Sequence, residues 1–596
     1  MLSKNYSRFS RPWDCLSAVN WLRSESSGSK ERVGAAAFGC CGGFCRRLPL
    51  FRSQHYSANC SAGQQRLPRP LLLLAMWISS TATVTADDLA QRIDAVLQQS
   101  FAAAQVAPGP VSSDAEFCRR VTLDLAGRIP TVDELAKFLS DPDPQRRSVL
   151  ADRLLDSPEH SQRMADLFHV MLMERRGDHP EWTVFLRTSF AQQKPWDQLV
   201  REILDPQESP EQIRGAAWFI TRRLEKVGQQ ETDYPGLTRD IGRLFLGCDL
   251  QCAQCHDHLT ISDYRQIEFQ GLYTVYRNTS IRTDVKFPAV AEKPLTRKTD
   301  FMSVFDKQPL LVGPRVPFGI EHEIPQFESG QEFAVAPDRA KNFPGVPKFR
   351  GLRLIAESLP SAANRRFAEN LANRLWFVMF GAGLVNPLDQ LHDDNPATHP
   401  ELLAAVADAV TAAGFRIRPV LRQIVLSQAY QRSSLGAAAG AVPYQYGQEK
   451  RLSAEQLLAS VLTACGTGGP AATADAPAEA EQKRAEAFVK AFGNIPGEPE
   501  LEFSPSLKAA LFVLNDPLMQ EQIQPGGGNL SERLLQNGDD IAVADELYRA
   551  VLSRAPAAEE VRFVCEYLGQ RREHRQQAIG NLVWGLLAST EFCLNH

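Results

Sequence analysis

The sequence predicts a mainly α protein, built as two helical domains joined by a loop-rich segment with a small β element. Three observations carry this. Apolar residues recur at three-to-four spacing through most of the chain after residue 87, which gives each segment one apolar face. Oxygen-bearing residues ahead of a proline or an acidic first turn mark helix starts. Residues 281–350 lose the helical period to prolines, glycines and short β-prone pieces such as Phe301-Met302-Ser303-Val304-Phe305.

Residues 1–86 read as an N-terminal extension and signal peptide. Arg66, Arg69 and the run Leu71–Ile78 form a basic region and a short apolar region, and Val84-Thr85-Ala86 supplies the small residues of a cleavage site. The mature chain is expected to begin near Asp87. Residues 1–65 are Ser/Arg/Gly-rich and hold five of the 12 cysteines; they fit translation from a misplaced upstream start, with an uncleaved extension or an anchor as the other reading. No later stretch approaches the roughly 18 to 20 apolar residues of a membrane helix, so the mature chain is expected to lack a transmembrane span; the leader makes the expected location periplasmic or otherwise extracytoplasmic.

Residues 87–280 form the first predicted domain. Leu89, Ile93, Val96, Leu97 and Phe101 make one stripe behind Asp87-Asp88, and Thr131-Val132-Asp133-Glu134 and Ser157-Pro158-Glu159 read as capped starts. Before the most informative motif, Leu237, Ile241, Leu244, Phe245 and Cys248 fall at steps of three or four, which places Cys248 on a buried helical stripe. The second domain, 351–596, is expected to hold helices around 363–380, 399–413, 417–430 and 452–464, a flexible Gly/Pro/Ala loop from 466 to 485, and closing helices near 541–553, 557–570 and 575–591.

A net charge of −5, with both signs intermixed, gives no basic field for nucleic acid. The cysteines beyond residue 86 are Cys118, Cys248, Cys252, Cys255, Cys465, Cys565 and Cys593, too scattered for a disulfide framework. No Ser/His/Asp arrangement, phosphate-binding glycine loop or carboxylate pair emerges, so the sequence favours a non-enzymatic role. A hydrolase acting on extracellular polysaccharide would rest on the secreted setting alone.

Cys252-Ala253-Gln254-Cys255-His256 is the most explicit chemistry in the chain. Two thiols at this spacing can attach to haem vinyl groups while the next histidine ligates the iron. Met302, Met164, His169 and His392 are the candidates for the opposite axial position. A zinc clip would instead use Cys252, Cys255 and His256 or His258, with Cys248 as the fourth ligand. A third reading is a Cys252–Cys255 disulfide or a pair of buried thiols. Cys248, Cys252 and Cys255 also match three-thiolate iron–sulfur spacing, which an exported helical setting disfavours.

Asn370, Asn373 and Arg374 lie among Phe367, Leu371, Leu375 and Trp376, and predict a buried salt-bridge network with the His392-Asp393-Asp394-Asn395 loop. His399-Pro400-Glu401 reads as a helix cap with proline in the first turn.

Longer stretches carry a resemblance. FCRRVTLDLAGRIPTVDELAKFL, LADRLLDSPEHSQRMADLFHVML and LFLGCDLQCAQCHDHLTISDYRQIEFQGLY resemble a cytochrome-associated domain of unknown function from large secreted planctomycete proteins. NRRFAENLANRLWFVMFGAGLVNPLDQLHDDNPATHPELLAAVADAV, with ALFVLNDPLMQEQI, LYRAVLSRAPAAEEV and LVWGLLASTEFCLNH, resembles its usual partner domain. The resemblance implies export and two helical domains, and no catalytic residue. Cys248 departs from the pattern and leaves a third thiolate ligand open. The resulting expectation is an exported c-type haem protein for electron transfer or redox sensing beside a redox or extracytoplasmic protein partner. The alternative is a non-catalytic scaffold or binding protein with a zinc clip or disulfide.

Overall fold

The computed structural model describes residues 88–596, except 227, 306, 438–439, 468–477 and 500–506. The expected leader and cleavage site, residues 1–86, lie outside the described residues.

The predicted helical character holds. The first half runs α1 (Leu89–Ala103), α2 (Asp114–Ala126), α3 (Val132–Ser140), α4 (Arg146–Leu155), α5 (Pro158–Met173), α6 (Pro180–Ala191), α7 (Trp196–Leu204), α8 (Glu211–Arg214), α9 (Trp218–Leu224), α10 (Tyr234–Leu246) and α11 (Gln266–Tyr276). Local chemistry explains the starts. Thr131 and Glu134 close a reciprocal capping box on α3, and the Ser157 hydroxyl accepts from the His160 amide at the head of α5. In α1, Leu89, Ile93, Leu97 and Phe101 are buried while Val96 sits at the edge of the stripe.

Cys248 differs from its predicted place. α10 ends at Leu246 because Gly247 turns left-handed (φ 66°), and the Gly247 and Cys248 amides donate to the carbonyls of Arg243 and Gly242. Cys248 is buried, but as the first residue beyond that cap. The positive φ favours glycine at 247, and a Cβ there would also crowd Asn370 Oδ1 at 3.0 Å.

The loop-rich segment holds three separate antiparallel pairs rather than one small sheet: β1 (Thr279–Ile281) with β2 (Val290–Glu292), β3 (Thr299–Met302) with β4 (Pro309–Val312), and β5 (Phe333–Val335) with β6 (Val346–Pro347). In β3–β4, Phe301 faces Leu310 and Met302 faces Pro309. The strand stops at Met302, so Ser303, Val304 and Phe305 form the turn beyond it.

The second half contains α12 (Gly351–Ser358), α13 (Arg365–Phe380), α14 (Pro400–Ala412), α15 (Ile417–Leu426), β7 (Lys450–Arg451), α16 (Ala454–Cys465), α17 (Ala478–Phe492), α18 (Leu507–Asn515), α19 (Pro517–Ile523), α20 (Leu530–Gln536), α21 (Asp540–Leu552), α22 (Ala558–Gly569), α23 (Arg575–Leu587) and β8 (Leu594–Asn595). Two expectations shift here. α15 stops at Leu426, where Ser427 leaves the helical conformation. Residues 478–485, expected in a loop, open α17, whose Ala/Glu/Lys/Arg content favours helix.

Two apolar cores form among the described residues. One core runs from Leu89 to Tyr444; the other takes Leu452–Phe592 together with Leu123 and Ile129 from α2 and its exit. Polar anchors on α2 bind the cores together. Arg119 donates to the carbonyls of Phe592 (3.0 Å) and Leu594 (3.3 Å), while Asp124 accepts from Lys450 (2.6 Å), Asn595 (2.8 Å) and the Tyr430 hydroxyl (2.7 Å).

Candidate functional site

The motif occupies a 3₁₀ turn, Cys252–Gln254, after α10. The Asp249 carboxylate accepts from the Gln251 amide, and the Cys255 and His256 amides both point to the Cys252 carbonyl. Ala253 is fully buried between two exposed cysteines. The turn is therefore pinned by its smallest side chain, and both thiols face solvent.

α11 clamps the other side of this turn. Gln270 Nε2 donates to the Gln254 carbonyl at 3.0 Å; Gln266 Nε2 reaches that carbonyl (3.4 Å) and the Met302 carbonyl (3.3 Å). The Gln266 amide donates to Asp257 at 2.7 Å. Across the loop, the Val304 amide donates to the Cys255 carbonyl (3.1 Å), and the Phe305 ring lies 4.7 Å from the His256 ring. One helix end thus holds the motif and the β3–β4 hairpin in fixed relation.

The two nearby histidines differ in the nitrogen they can offer. Nδ1 of His256 lies 2.6 Å from the Asp257 carbonyl, an acceptor, so that nitrogen carries the hydrogen and Nε2 keeps its lone pair. Nδ1 of His258 instead accepts from the amides of Ile261 (3.0 Å) and Thr260 (3.2 Å). Its neutral ring then carries the hydrogen on Nε2, which has no lone pair for a metal. Of the two neutral rings, His256 is the one whose contacts leave the Nε2 lone pair unused.

Cys248 stands apart from the exposed pair. Its Sγ lies 3.2 Å from the Leu246 carbonyl and 3.6 Å from Arg366 Nη1, and burial pushes the thiol up to about 11 despite that guanidinium. Among the described residues, no three or more His, Cys, Asp or Glu side chains converge to hold a metal ion. Cys248, Cys252, Cys255 and His258 are therefore not gathered into a tetrahedral set here.

The axial candidates also separate. Met164 is buried in the core, and His169 is engaged through both nitrogens, Nδ1 accepting from Trp182 Nε1 (2.9 Å) and Nε2 meeting Asp178 (2.7 Å). Met302 is half exposed at the end of β3, beside the clamp. His392 packs edge-on against Tyr264, 5.3 Å between centroids, and Tyr264 in turn meets His258; burial pushes the His392 imidazole below its usual range. Only Met302 and His392 are held next to the motif region.

Behind the site lies the predicted network, with a different acid. Arg374 pairs with Asp389 at 2.5 Å, while Asp393 and Asp394 are exposed. Arg243 bridges Asp389 (3.1 Å), Glu174 (2.5 Å) and Asp240 (2.9 Å), and Arg223 and Arg176 reach Asp240 at 2.6 and 3.2 Å. Burial acting alone would raise the Asp240 carboxyl; Arg223, Arg243 and Arg176 hold it well below the usual carboxylate range. The Asp389 carbonyl also accepts from the Asp249 amide (2.9 Å), which ties the network to the motif turn. His399 caps α14 by position, without a side-chain cap bond, and its Nε2 lies 3.2 Å from the Ser100 hydroxyl.

Gln266, Gln270, Val304 and Phe305 were not site candidates in the sequence. The only local signal was Phe301–Phe305 as a β-prone piece; nothing in it points to residue 255.

Fold and site together define a mainly helical protein whose turn-borne thiol–imidazole motif is braced by a second helical segment. Residues 92–281 match PSCyt2, a protein of unknown function (DUF1549), and residues 353–494 match PSD1, a protein of unknown function (DUF1553). The chain belongs to the proteins that carry this domain pair. No curated protein and no solved structure matches it. Cys252–His256 falls in the first matched segment, and Arg374 and Asp389 in the second.

Proposed function

We propose that this is an exported c-type haem protein that transfers electrons or senses redox state beside an extracytoplasmic protein partner. One observation carries the reading: Cys252 and Cys255 expose both thiols from a single braced turn, and the adjacent His256 keeps Nε2 for a metal. Each S–H would add across one vinyl group, forming a thioether with no oxidant required. The bound group would supply a one-electron iron couple. The chain's own part is to hold the two sulfurs outward through buried Ala253 and to fix the His256 tautomer through Asp257.

The exposure of the two thiols also supports a second reading, a binding scaffold in which Cys252 and Cys255 close as a disulfide. The test is expression in a host with cytochrome maturation, followed by a pyridine haemochrome spectrum and elemental analysis. A covalent haem band that disappears in C252A/C255A is the expected result. Stoichiometric zinc without haem would replace the reading with a metal clip. Neither group, with thiols reactive only after reduction, would replace it with the disulfide.

A further inference from the structure

We infer that Phe305 is the positioning residue of this site: it forms a wall against the attached macrocycle and sets the plane of the His256 imidazole. The inference rests on the haem reading and extends it to a side chain outside the motif.

Phe305 is 65% exposed, so core packing does not account for its place. Its backbone does. The Phe305 amide donates to the Ser303 hydroxyl (3.3 Å), the Lys307 amide to the Ser303 carbonyl (3.0 Å), and the neighbouring Val304 amide to the Cys255 carbonyl (3.1 Å). The turn therefore delivers a large apolar ring to the motif and leaves most of it in water. Val304, beside it, is also exposed.

An imidazole ligating through Nε2 would be free to turn about that bond, and two contacts of this chain would oppose the rotation. Here the Asp257 carbonyl holds the Nδ1 edge at 2.6 Å, and the Phe305 ring, inclined at 52°, stands 4.7 Å from the imidazole centroid. A planar apolar group joined to Cys252 and Cys255 would cover surface that Phe305 and Val304 now expose. The occupant is specified by the donors beside this wall, two thiols and one imidazole nitrogen, rather than by the apolar surface alone. By excluding water from the imidazole side, Phe305 would disfavour the more charged ferric state of a bound haem and raise its potential.

The test compares full-length wild type, F305A, F305L and a remote control, I541A, all made with cytochrome maturation. Covalent haem per chain is measured first, then ferric g values by electron paramagnetic resonance, then the reduction potential. F305A should keep its haem, lower the potential and change the g anisotropy. F305L should recover the potential through apolar cover but not the g values, since it lacks a flat face; I541A should change neither. Haem-loaded F305A with wild-type potential and g values would overturn the role of Phe305 and leave the haem reading standing. Wild type without covalent haem would overturn both.

Discussion

Nη2 of Arg374 lies 2.5 Å from Oδ1 of Asp389, with only 4% and 9% of the two side chains exposed. Arg374 also donates to Asn370 Oδ1 (3.1 Å) and to the Arg243 carbonyl (2.9 Å), so the pair connects α13 with α10. Removing one member strands the other charge in the interior. Asp389→Ala should cost on the order of 3–5 kcal/mol, read as a lower urea midpoint. Asp389→Asn, which retains an acceptor, should cost less. Equal, near-zero costs for both variants would show that the network carries no stability.

The helix caps were legible because a cap is a local event: Thr131 and Ser157 act on amides three residues away. The apolar stripes were legible for the same reason. The choice of Asp389 over Asp393 and Asp394 was not, since all three carboxylates sit in one loop and only the path of the folded chain turns one inward. Cys248 continued the spacing of α10, yet Gly247 ended the helix one residue earlier by taking a conformation open to glycine. The motif itself was plain in sequence. Its supports were hidden because Gln266 and Val304 reach residues 254 and 255 across distant segments, where no short period operates.

Thiol chemistry should separate the cysteines sharply. Burial pushes Cys118, Cys248 and Cys465 up to about 12, 11 and 12, whereas Cys252 and Cys255 face solvent. At pH 8 the thiolate fraction of Cys248 is about one in a thousand, and burial blocks access as well. In reduced protein made without cytochrome maturation, iodoacetamide should label Cys252 and Cys255 at least ~100-fold faster than those three. Peptide mass spectrometry over a time course checks this. Comparable labelling of Cys248 in folded protein would contradict its buried position.

Acid should weaken the C-terminal core before the carboxylates titrate. Burial, assisted by the Arg119 guanidinium, lowers His596 to about 4 against an ordinary value of 6.5. Between those values the unfolded chain binds the proton and the folded chain does not. This contribution is therefore complete above about pH 6.5 and is lost as pH falls toward 4, on the order of 1–3 kcal/mol. Burial lowers His160 as well, with Nδ1 3.0 Å from the Leu125 carbonyl, so it adds loss of the same sign. Urea titrations from pH 7 to 4 should show a shallower decline for His596→Asn than for wild type. An identical slope would remove His596 from the account.

Gln266 offers the most direct probe of how the site is braced. Its side-chain nitrogen spans the carbonyls of Gln254 and Met302, while its own amide is held by Asp257. Gln266→Ala removes the two side-chain bonds and leaves the backbone bond intact. The expected loss is about 1–2 kcal/mol, since each net bond is worth roughly 1 kcal/mol and both carbonyls can still find water or Gln270. The local effect should exceed the global one. The Val304 amide, bonded to the Cys255 carbonyl, should exchange its hydrogen faster because the hairpin can now open without the motif turn. The Val543 amide in α21, far along the chain and in the other core, should keep its protection apart from the global change. Uniform acceleration at both amides would mean that Gln266 supports the fold as a whole; acceleration confined to Val304 identifies it as the brace between hairpin and motif.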